Sequence, residues 1–270
     1  MRRLAMISMG AILALTLAST ALAAQSINLG SATSFAVLAG TTITNTGATT
    51  ITGNVGLHPG SSAKGFTTVT LHGAKHLADA VALNAKNALV AAYNEAAGAT
   101  PVKKVPTELG GKTLKPGVYS SAHLGLTGTL TLDGPGVYVF KAGSTLITAS
   151  HSRVALINGA SVCNVYWQIG SSATLGTSTS FKGTIMALTS ISLKTGATLQ
   201  GRALARNGAV TMDHNTINSS LCAAPATDEI ASSQAAVTDE TPSAPWMALL
   251  VILLLAFAAS LRVTAGRLRR

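Results

Sequence analysis

Acidic residues are scarce in this chain, which has only nine aspartates and glutamates among its 270 residues. Five of them lie between residues 24 and 222, and these are Asp79, Glu95, Glu108, Asp133 and Asp213. Asp79 and Glu95 lie on a predicted helix, Asp133 lies in a turn and Asp213 in the last of three repeats, so no carboxylate pair emerges. Glycoside hydrolysis normally needs such a pair. The sequence therefore argues against a polysaccharide-cleaving enzyme.

Other catalytic and ligand-binding patterns are missing as well. The sequence has no Gly-x-Ser-x-Gly nucleophile elbow, no phosphate-binding loop and no calcium-binding nonapeptide repeat. His72 and His76 have the spacing of two zinc ligands on one helical face, but the glutamate of the metalloprotease pattern and a third ligand are absent. We therefore expect a protein that is not an enzyme and that holds no metal or cofactor.

The N-terminal residues have the composition of a targeting segment. Two arginines at positions 2 and 3 precede an apolar run to Leu22, and the run closes on Ala21-Leu22-Ala23. This order of charge, apolar run and small residues is typical of a secretory signal peptide. We expect residues 1–23 to be removed on export.

The C-terminal residues predict an attachment to the cell envelope. Residues 245–270 contain an apolar run from Trp246 to Leu261 and end in an arginine-rich tail, as in a membrane anchor whose basic end stays in the cytoplasm. A buried core helix and a processed surface-sorting signal are the alternatives. Residues 223–244 are acidic and poor in large apolar side chains, which indicates a disordered linker.

Once these ends are set aside, the central region remains basic. It keeps 13 lysines and arginines against five acids, a net charge of about +8. Basic proteins often bind nucleic acid. The predicted export and the scattered lysines favour a solvated basic surface instead, so we expect no nucleic-acid partner.

One pattern recurs three times between Val165 and Ile217, with a period of 18 residues. Repeats of this length without helical periodicity are typical of solenoids, in which each copy forms one coil. We predict a mainly β fold, a right-handed β-helix over residues 24–222. Its lumen is predicted to hold these rows: Leu175 and Leu193; Phe181, Leu199 and Ile217; Trp167, Ile185 and Ala203. The alignment places Thr211 in the column of Leu175 and Leu193.

Two further features complete the architecture. Residues 73–98 carry apolar side chains at helical spacing, which predicts one long helix. Cys163 and Cys222 flank the repeats, and in an exported protein they are either joined by a disulfide or buried as two thiols.

The stretch SFAVLAGTTITNTGATTITGNVGLHPG resembles the opening signature of bacterial and fungal ice-binding proteins with a discontinuous β-solenoid. The two Pro-Gly-Val-Tyr turns and INGASVCNVYWQIGS resemble the same family, so the likeness covers residues 27–222. The resemblance implies a long helix packed along one face of the solenoid. It also implies an ice-binding face that carries Thr-Ala/Gly-x-Thr/Asn motifs.

Residues 195–198, Thr-Gly-Ala-Thr, match that motif, whereas residues 177–180 and 213–216 occupy the same columns but depart from it. Residues 46–49 also match but lie inside the opening signature, where they can form a simple turn. Threonine also favours strands irrespective of function. The candidate ice-binding residues are Thr177, Ser180, Thr189, Thr195, Thr198 and Thr216, with Ser171 and Asn207 in the row of Thr189.

The expected partners follow from this reading. The hydroxyl rows are predicted to hold ordered water and to adsorb to an ice crystal surface, with the protein acting as a monomer. The C-terminal segment is predicted to tie the protein to the membrane, with the domain on the outer face of the envelope. The alternative is a cell-surface adhesin for glycans or other cells.

Overall fold

The computed structural model of the protein describes residues 24–222. The predicted signal peptide, acidic linker and C-terminal anchor lie outside the described residues. Within residues 24–222, no helix combines the length and the hydropathy needed to cross a bilayer.

Seven short strands precede the single α-helix of the described chain. They are β1 (Phe35–Ala39), β2 (Thr42–Thr46), β3 (Thr49–Thr52), β4 (Asn54–Leu57), β5 (Ser62–Lys64), β6 (Val69–His72) and β7 (Lys75–Leu77). The helix α1 spans Ala80–Gly98. Short 3-10 helices occupy Gly30–Ser34, Phe66–Thr68, Val162–Asn164 and Ser220–Cys222.

Fifteen strands follow the helix. They are β8 (Val102–Lys104), β9 (Thr113–Leu114), β10 (Gly117–Ser121), β11 (Leu124–Leu126), β12 (Thr129–Asp133), β13 (Tyr138–Ala142), β14 (Leu146–Thr148), β15 (Arg153–Ile157), β16 (Val165–Ile169), β17 (Ala173–Leu175), β18 (Ser180–Ala187), β19 (Ile191–Leu193), β20 (Thr198–Ala205), β21 (Val210–Asp213) and β22 (Thr216–Asn218). Apolar and polar residues alternate in strands such as β12 and β17, because one side of the strand faces the lumen, whereas β1 and β16 are buried along their whole length.

The strands pair in parallel and form three stacks, to each of which a coil contributes one segment. A seven-stranded sheet, here called sheet 2, has the order β11-β14-β17-β19-β21-β2-β5. The helix-side stack has the order β8-β10-β13-β16-β18-β20-β1-β4-β7. The third stack has the order β9-β12-β15-β18-β20-β22-β3-β6. The predicted β-solenoid is confirmed.

Strands β18 and β20 serve two stacks because each bends at a glycine. Gly183 and Gly201 have φ values of 105° and 141°, in the region that favours glycine. A Cβ atom on Gly201 would lie 2.0 Å from the carbonyl oxygen of Gly183 on the neighbouring coil. The two glycines therefore let successive coils stack at this corner.

The stacking order departs from the sequence order in the middle of the solenoid. The first strands of the chain, β1, β2 and β3, pair with the last ones, β20, β21 and β22. The N-terminal coils thus continue the three sequence repeats in space. This is the discontinuity that the resemblance implies.

Apolar side chains fill the lumen as the repeat predicts, since every member of the three predicted rows is buried. The rings of Phe140 and Trp167, on neighbouring coils, stack with their centroids 4.2 Å apart, and Trp167 also contacts Phe181 of its own coil with centroids 4.8 Å apart. Fully burying a large apolar side chain contributes roughly 1.5–3 kcal/mol. The rows therefore hold successive coils together.

The alignment of the third repeat needs one correction. Thr211 does not fill the apolar column of Leu175 and Leu193, because it pairs with Ser192 and faces outward. Met212 is fully buried beside it and fills the lumen instead. Compared with the second coil, the third coil has one more residue before β21 and one fewer at the corner after it. The period of 18 is therefore kept in β20 and β22.

The helix begins later than predicted. Residues 75–77 form β7, and Ala78 adopts a left-handed conformation with a φ of 53°. Asp79 then caps α1, because its carboxylate accepts a 2.8 Å hydrogen bond from the backbone nitrogen of Ala82. The predicted helical pairing of His72 and His76 is therefore wrong. His72 ends β6, while the Nδ1 atom of His76 lies 2.9 Å from the Asp79 carboxylate.

The helix covers the helix-side stack with a face of small residues. Ala85, Leu89 and Ala92 are fully buried, and they share a cluster with Val139 and Met186 of the stack. The short alanine side chains allow the helix axis to approach the sheet closely. This stack is therefore closed to a flat external ligand along the helix.

Cys163 and Cys222 form a disulfide with a Cα–Cα distance of 5.1 Å. The bond spans 59 residues and encloses the three sequence repeats. It joins the start of the first repeat to the end of the described chain.

Candidate functional site

A row of hydroxyl groups runs across the outer surface of sheet 2. Thr174, Ser192, Thr211 and Thr44 occupy the same position in four neighbouring strands. The hydroxyl of Thr44 donates to that of Thr211 over 3.3 Å, although 167 residues separate the two in sequence. Neighbouring strands lie about 4.8 Å apart, so the row is regular along the solenoid. We call these four residues the sheet-2 row.

A second row borders sheet 2 at the corner that leads to the third stack. Thr177, Thr195, Asp213 and Thr46 follow one another there, each at the residue before a left-handed turn position. Backbone hydrogen bonds of 2.9–3.0 Å connect the successive turns. The hydroxyl of Thr195 donates to the carboxylate of Asp213. We call these four residues the corner row.

The predicted residues Ser180, Thr198 and Thr216 form a third row just past the corner. They are the first residues of β18, β20 and β22, where they pair in register, and all three are exposed. Thr50 and Thr70 of the N-terminal coils extend the row. The row ends at Arg153 in the other direction.

Thr189 lies apart from the other predicted residues. It sits at the opposite border of sheet 2, where its nitrogen bonds to the Ser171 carbonyl oxygen over 2.9 Å and its own carbonyl accepts from Gly208 over 2.8 Å. The six candidate residues therefore border sheet 2 on two sides, and the surface between them belongs to residues that the sequence reading omitted.

Buried polar groups hold the corner in shape. The side-chain amide of Asn215 donates to the carbonyl oxygens of Lys194 and Ala197 at 2.9 and 3.0 Å. Thr179 donates to the carbonyl oxygen of Ala149 over 3.1 Å, and its hydroxyl also contacts that of Thr148. These bonds satisfy turn carbonyls that would otherwise be unpaired. These hydrogen bonds thus fix the backbone that carries the corner row.

The corner row contains one charged side chain, that of Asp213. The hydrogen bond from Thr195 lowers the pKa of Asp213 below its usual value, and the bond with His214 lowers it further. The carboxylate is therefore ionised at neutral pH. The exposed side chain of Lys194 adds a positive charge nearby. A uniform hydroxyl row is interrupted here.

Long charged side chains lie on the outer surface of the third stack. The ammonium of Lys115 lies 2.9 Å from the Asp133 carboxylate, and Lys182 donates to the side chain of Gln200. Long charged side chains hold their own hydration shells and stand above their threonine neighbours. The sheet-2 row has no charged member between Thr174 and Thr44, and it ends at Ile147 on one side and at Lys64 on the other.

The sheet-2 row was missed for an identifiable reason. Alignment at a fixed period of 18 put Thr211 into an apolar column, which concealed its match with Ser192 and Thr174. The local alternation of apolar and polar residues correctly places Thr211 on the outer surface, because its two neighbours, Val210 and Met212, are apolar. Within a strand, side chains point alternately inward and outward, and this alternation rather than the 18-residue repeat decides which residue faces the lumen.

No group of three or more His, Cys, Asp or Glu side chains within residues 24–222 has the arrangement of a metal site. What the surface offers is a set of threonine methyl and hydroxyl groups at strand spacing. The threonine side chain has few rotamers, so these groups hold fixed positions. Such a lattice can order water molecules without reacting with them.

Comparison with known proteins identifies relatives over most of the described chain. The family model described as "Ice-binding-like" matches residues 37–218. The chain is 50% identical over 216 residues to an ice-binding protein of Nostoc sp. (strain HG1), an alignment that covers 77% of this chain and 80% of that protein. It is 35% identical over 211 residues to an ice-binding protein of Colwellia sp., covering 71% and 83% of the two chains.

Solved structures give the same result. The crystal structure of an ice binding protein from an Antarctic biological consortium matches with a TM-score of 0.71 and 49% identity, covering 72% of this chain and 91% of that one. The crystal structure of an ice-binding protein from the Antarctic ascomycete Antarctomyces psychrotrophicus matches with a TM-score of 0.69 and 38% identity, covering 72% of this chain and 98% of that one. These relatives give no support to the adhesin alternative. The chain belongs to the ice-binding-like family.

Proposed function

We propose that this protein adsorbs to ice without catalysing a reaction, through the outer surface of sheet 2. The contact surface is the hydroxyl face, which consists of the sheet-2 row (Thr44, Thr174, Ser192 and Thr211) and the corner row (Thr46, Thr177, Thr195 and Asp213). Thr189 borders it on one side, and Ser180, Thr198 and Thr216 border it on the other. Family membership and the names of the relatives support the proposal.

The observation that carries this proposal is the register of the sheet-2 row. Four small hydroxylated side chains occupy equivalent positions in consecutive parallel strands. Water molecules held between their methyl and hydroxyl groups repeat at the same spacing as the strands. An ice surface can incorporate such waters at little entropic cost, whereas a single hydrogen bond would not distinguish ice from liquid water.

The hydroxyl face is favoured over the third stack because adsorption to a crystal needs flatness. On the third stack, Arg153 closes the row of Ser180, Thr198 and Thr216, and Lys182 stands beside it. The helix-side stack is covered by α1. Sheet 2 is the remaining broad surface of the described solenoid.

The test places one bulky side chain at a time on different surfaces. Ser192→Tyr and Thr195→Tyr should raise the concentration needed to arrest ice growth at least tenfold, because a ring there holds the lattice away from neighbouring coils. Thr198→Tyr should cost less than threefold. The control is Asn87→Tyr on the exposed side of α1, which should leave activity unchanged. Melting curves verify that all four variants remain folded.

The outcomes separate the surfaces. Loss of activity in Thr198→Tyr with full activity in Ser192→Tyr would move the ice-binding surface to the third stack. Full activity in all the folded variants would exclude both surfaces. Thr195→Ser and Thr198→Val remove one methyl or one hydroxyl each, and we expect them to retain most activity.

Export and attachment to the cell envelope are part of the proposal, with the protein acting as a monomer. The amino-acid pattern of residues 1–23 and 245–270 supports it. Cells that express the full chain should retain it at the envelope, whereas a chain truncated after Ala244 should appear in the medium. Equal release of both forms, with the C-terminal segment still present on the longer one, would refute attachment.

A further inference from the structure

A cleft of about 470 Å³ lies beside the helix-side stack, away from the hydroxyl face. One wall is the N-terminal segment, through Ser26, Ile27, Asn28, Leu29 and Thr33, and the other is formed by Cys163, Tyr166, Arg202 and Cys222. The cleft therefore brings together the beginning of the described chain, its end and one central coil.

Arg202 is the unusual residue of this cleft. Its side chain is among the largest that are fully buried, with only 2% of the residue exposed. The Nε atom donates to the carbonyl oxygen of Thr33 over 2.9 Å, and one Nη2 hydrogen is donated to that of Cys222 over 3.3 Å. A guanidinium has five N–H groups. The other three make no hydrogen bond with any residue between Ala24 and Cys222.

The positive charge of Arg202 lacks a carboxylate among the described residues. Their ion pairs involve Asp79, Asp133 and Asp213, none of which lines the cleft. Glu95 accepts a hydrogen bond from the backbone nitrogen of Asn28 over 3.1 Å but does not line the cleft either. Burial lowers the pKa of Arg202, and only the nearby Tyr166 opposes this effect.

A buried cation without a partner is costly, and proteins usually pair it with an anion. The unused N–H groups of a guanidinium match the two oxygens of a carboxylate. The remaining polar lining consists of the hydroxyl groups of Ser26, Thr33 and Tyr166 and the amide of Asn28. These groups suit the hydroxyls of a ligand. Ile27 and Leu29 provide apolar contact for its carbon chain.

We propose that this cleft binds a small hydroxylated carboxylic acid, with its carboxylate on the guanidinium of Arg202. The hydroxyl groups of the ligand face Ser26, Asn28 and Thr33. A bound acid would link the N-terminal segment to the coil of Arg202. This site is independent of ice adsorption, since the cleft shares no residue with the hydroxyl face.

The test uses the full-length protein in a neutral detergent and measures heat of binding at constant ionic strength. Sodium gluconate is the probe, and sorbitol is its matched control because it has the same carbon chain without the carboxylate. Gluconate should bind with a dissociation constant below 1 mM, a value of ordinary weak affinity. Sorbitol should bind at least tenfold more weakly. Sulfate, an inorganic anion of different shape, should also bind at least tenfold more weakly.

Two kinds of variant locate the site. Arg202→Lys keeps the charge but loses the planar fork, and it should weaken gluconate binding at least tenfold. Ser26→Trp blocks the exposed rim of the cleft without touching Arg202, and it should have the same effect. Ser31→Trp is the matched control, an exposed serine of the same segment that does not line the cleft. It should bind gluconate normally.

Ice-growth inhibition measured on the same samples verifies folding and separates this proposal from that of ice adsorption. If Arg202→Lys fails to fold, gluconate binding by the Ser26→Trp protein tests the proposal by itself. The proposal is overturned if the unmodified protein does not bind gluconate, or if sorbitol or sulfate binds equally well. It is also overturned if the folded Arg202→Lys and Ser26→Trp proteins bind gluconate with unchanged affinity.

Discussion

The hydroxyl of Thr195 donates a hydrogen bond to the carboxylate of Asp213, which lies 18 residues further along the chain and on the adjacent coil. His214 also contacts this carboxylate through Nδ1, at 2.7 Å. Both bonds lower the pKa of Asp213, that from Thr195 more strongly. A charge therefore persists at neutral pH in a row whose other members, Thr46, Thr177 and Thr195, are neutral.

The first prediction follows from this charge. Asp213→Thr should improve ice-growth inhibition at least twofold, because a carboxylate keeps its own hydration shell while a threonine continues the row. Asp213→Asn, which removes only the charge, should give a smaller gain. The control is Asp133→Asn on the third stack, which should leave activity unchanged. Lower activity in a folded Asp213→Thr protein would exclude the charge as an interruption.

The second prediction concerns the discontinuous order of the coils. Thr44 shares the sheet-2 row with Thr211 although the two are 167 residues apart in sequence. Thr44→Tyr should therefore raise the concentration needed to arrest ice growth about as much as Thr211→Tyr. Asn84→Tyr is a control at an exposed position on α1, away from the hydroxyl face. An active Thr44→Tyr protein would show that the N-terminal coils do not contact ice.

The third prediction concerns the left-handed turn positions at the corner. Ser178 has a φ of 55° and Gly196, its neighbour in the next coil, a φ of 70°. A side chain in this conformation costs roughly 1–2 kcal/mol, of which the entropy of glycine in the unfolded chain offsets about 0.5–1 kcal/mol. Ser178→Gly should therefore raise the free energy of unfolding by about 0.5–1 kcal/mol. Gly196→Ala should lower it by a similar amount.

Chemical denaturation of the two variants measures these changes. Contact effects are small at Gly196, because the nearest neighbour of an added Cβ atom would be the Ser178 Oγ atom at 3.6 Å. Opposite signs for the two substitutions therefore report the backbone alone. The same sign in both would contradict the explanation.

The fourth prediction concerns Lys86, a lysine of α1 that is 7% exposed. Its ammonium donates to the carbonyl oxygens of Ala205 and Arg206. Burial lowers its pKa to about 8, and the charge of Arg206 adds to the effect. Between that value and the ordinary pKa near 10.4, the unfolded chain binds more protons than the folded one. Stability from this group therefore rises with pH in that window, by up to about 1.4 kcal/mol per unit.

The measurement compares the protein with its Lys86→Met variant. The variant lacks the titrating group, so the difference in unfolding free energy between the two proteins should be constant below pH 8 and should shift in favour of lysine between about pH 8 and pH 10. Subtracting the variant removes the contribution of every other group. A difference that does not vary with pH would show that Lys86 titrates normally.

Local periodicity predicts much of this fold. Burial of Phe181, Leu199 and Ile217 follows from one repeat, since equivalent residues of stacked coils share an environment. The helix start was predicted too early because Leu77 and Val81 fit a helical spacing, while the capping preference of Asp79 marks the true beginning. Val81 is in fact 48% exposed.

The candidate site was harder to predict because it depends on contacts between distant parts of the chain. Nothing in the local sequence specifies that Thr44 pairs with Thr211. The corner residues Thr177 and Thr195 were identified because they recur at the period of the repeat. The assignment failed at Thr211, because one residue is added before β21 and one is missing at the following corner, which leaves the period unchanged on either side.

The pairing of β1, β2 and β3 with β20, β21 and β22 has a consequence for biosynthesis. A ribosome makes the N-terminal strands about 166 residues before the strands that cover them, at roughly 5–20 residues per second. Their edge therefore stays unpaired for roughly 8–30 seconds at that rate, and an unpaired strand edge is prone to aggregation. The N-terminal coils can therefore complete their pairing only after β20, β21 and β22 have been made, so their folding depends on strands near the end of the described chain.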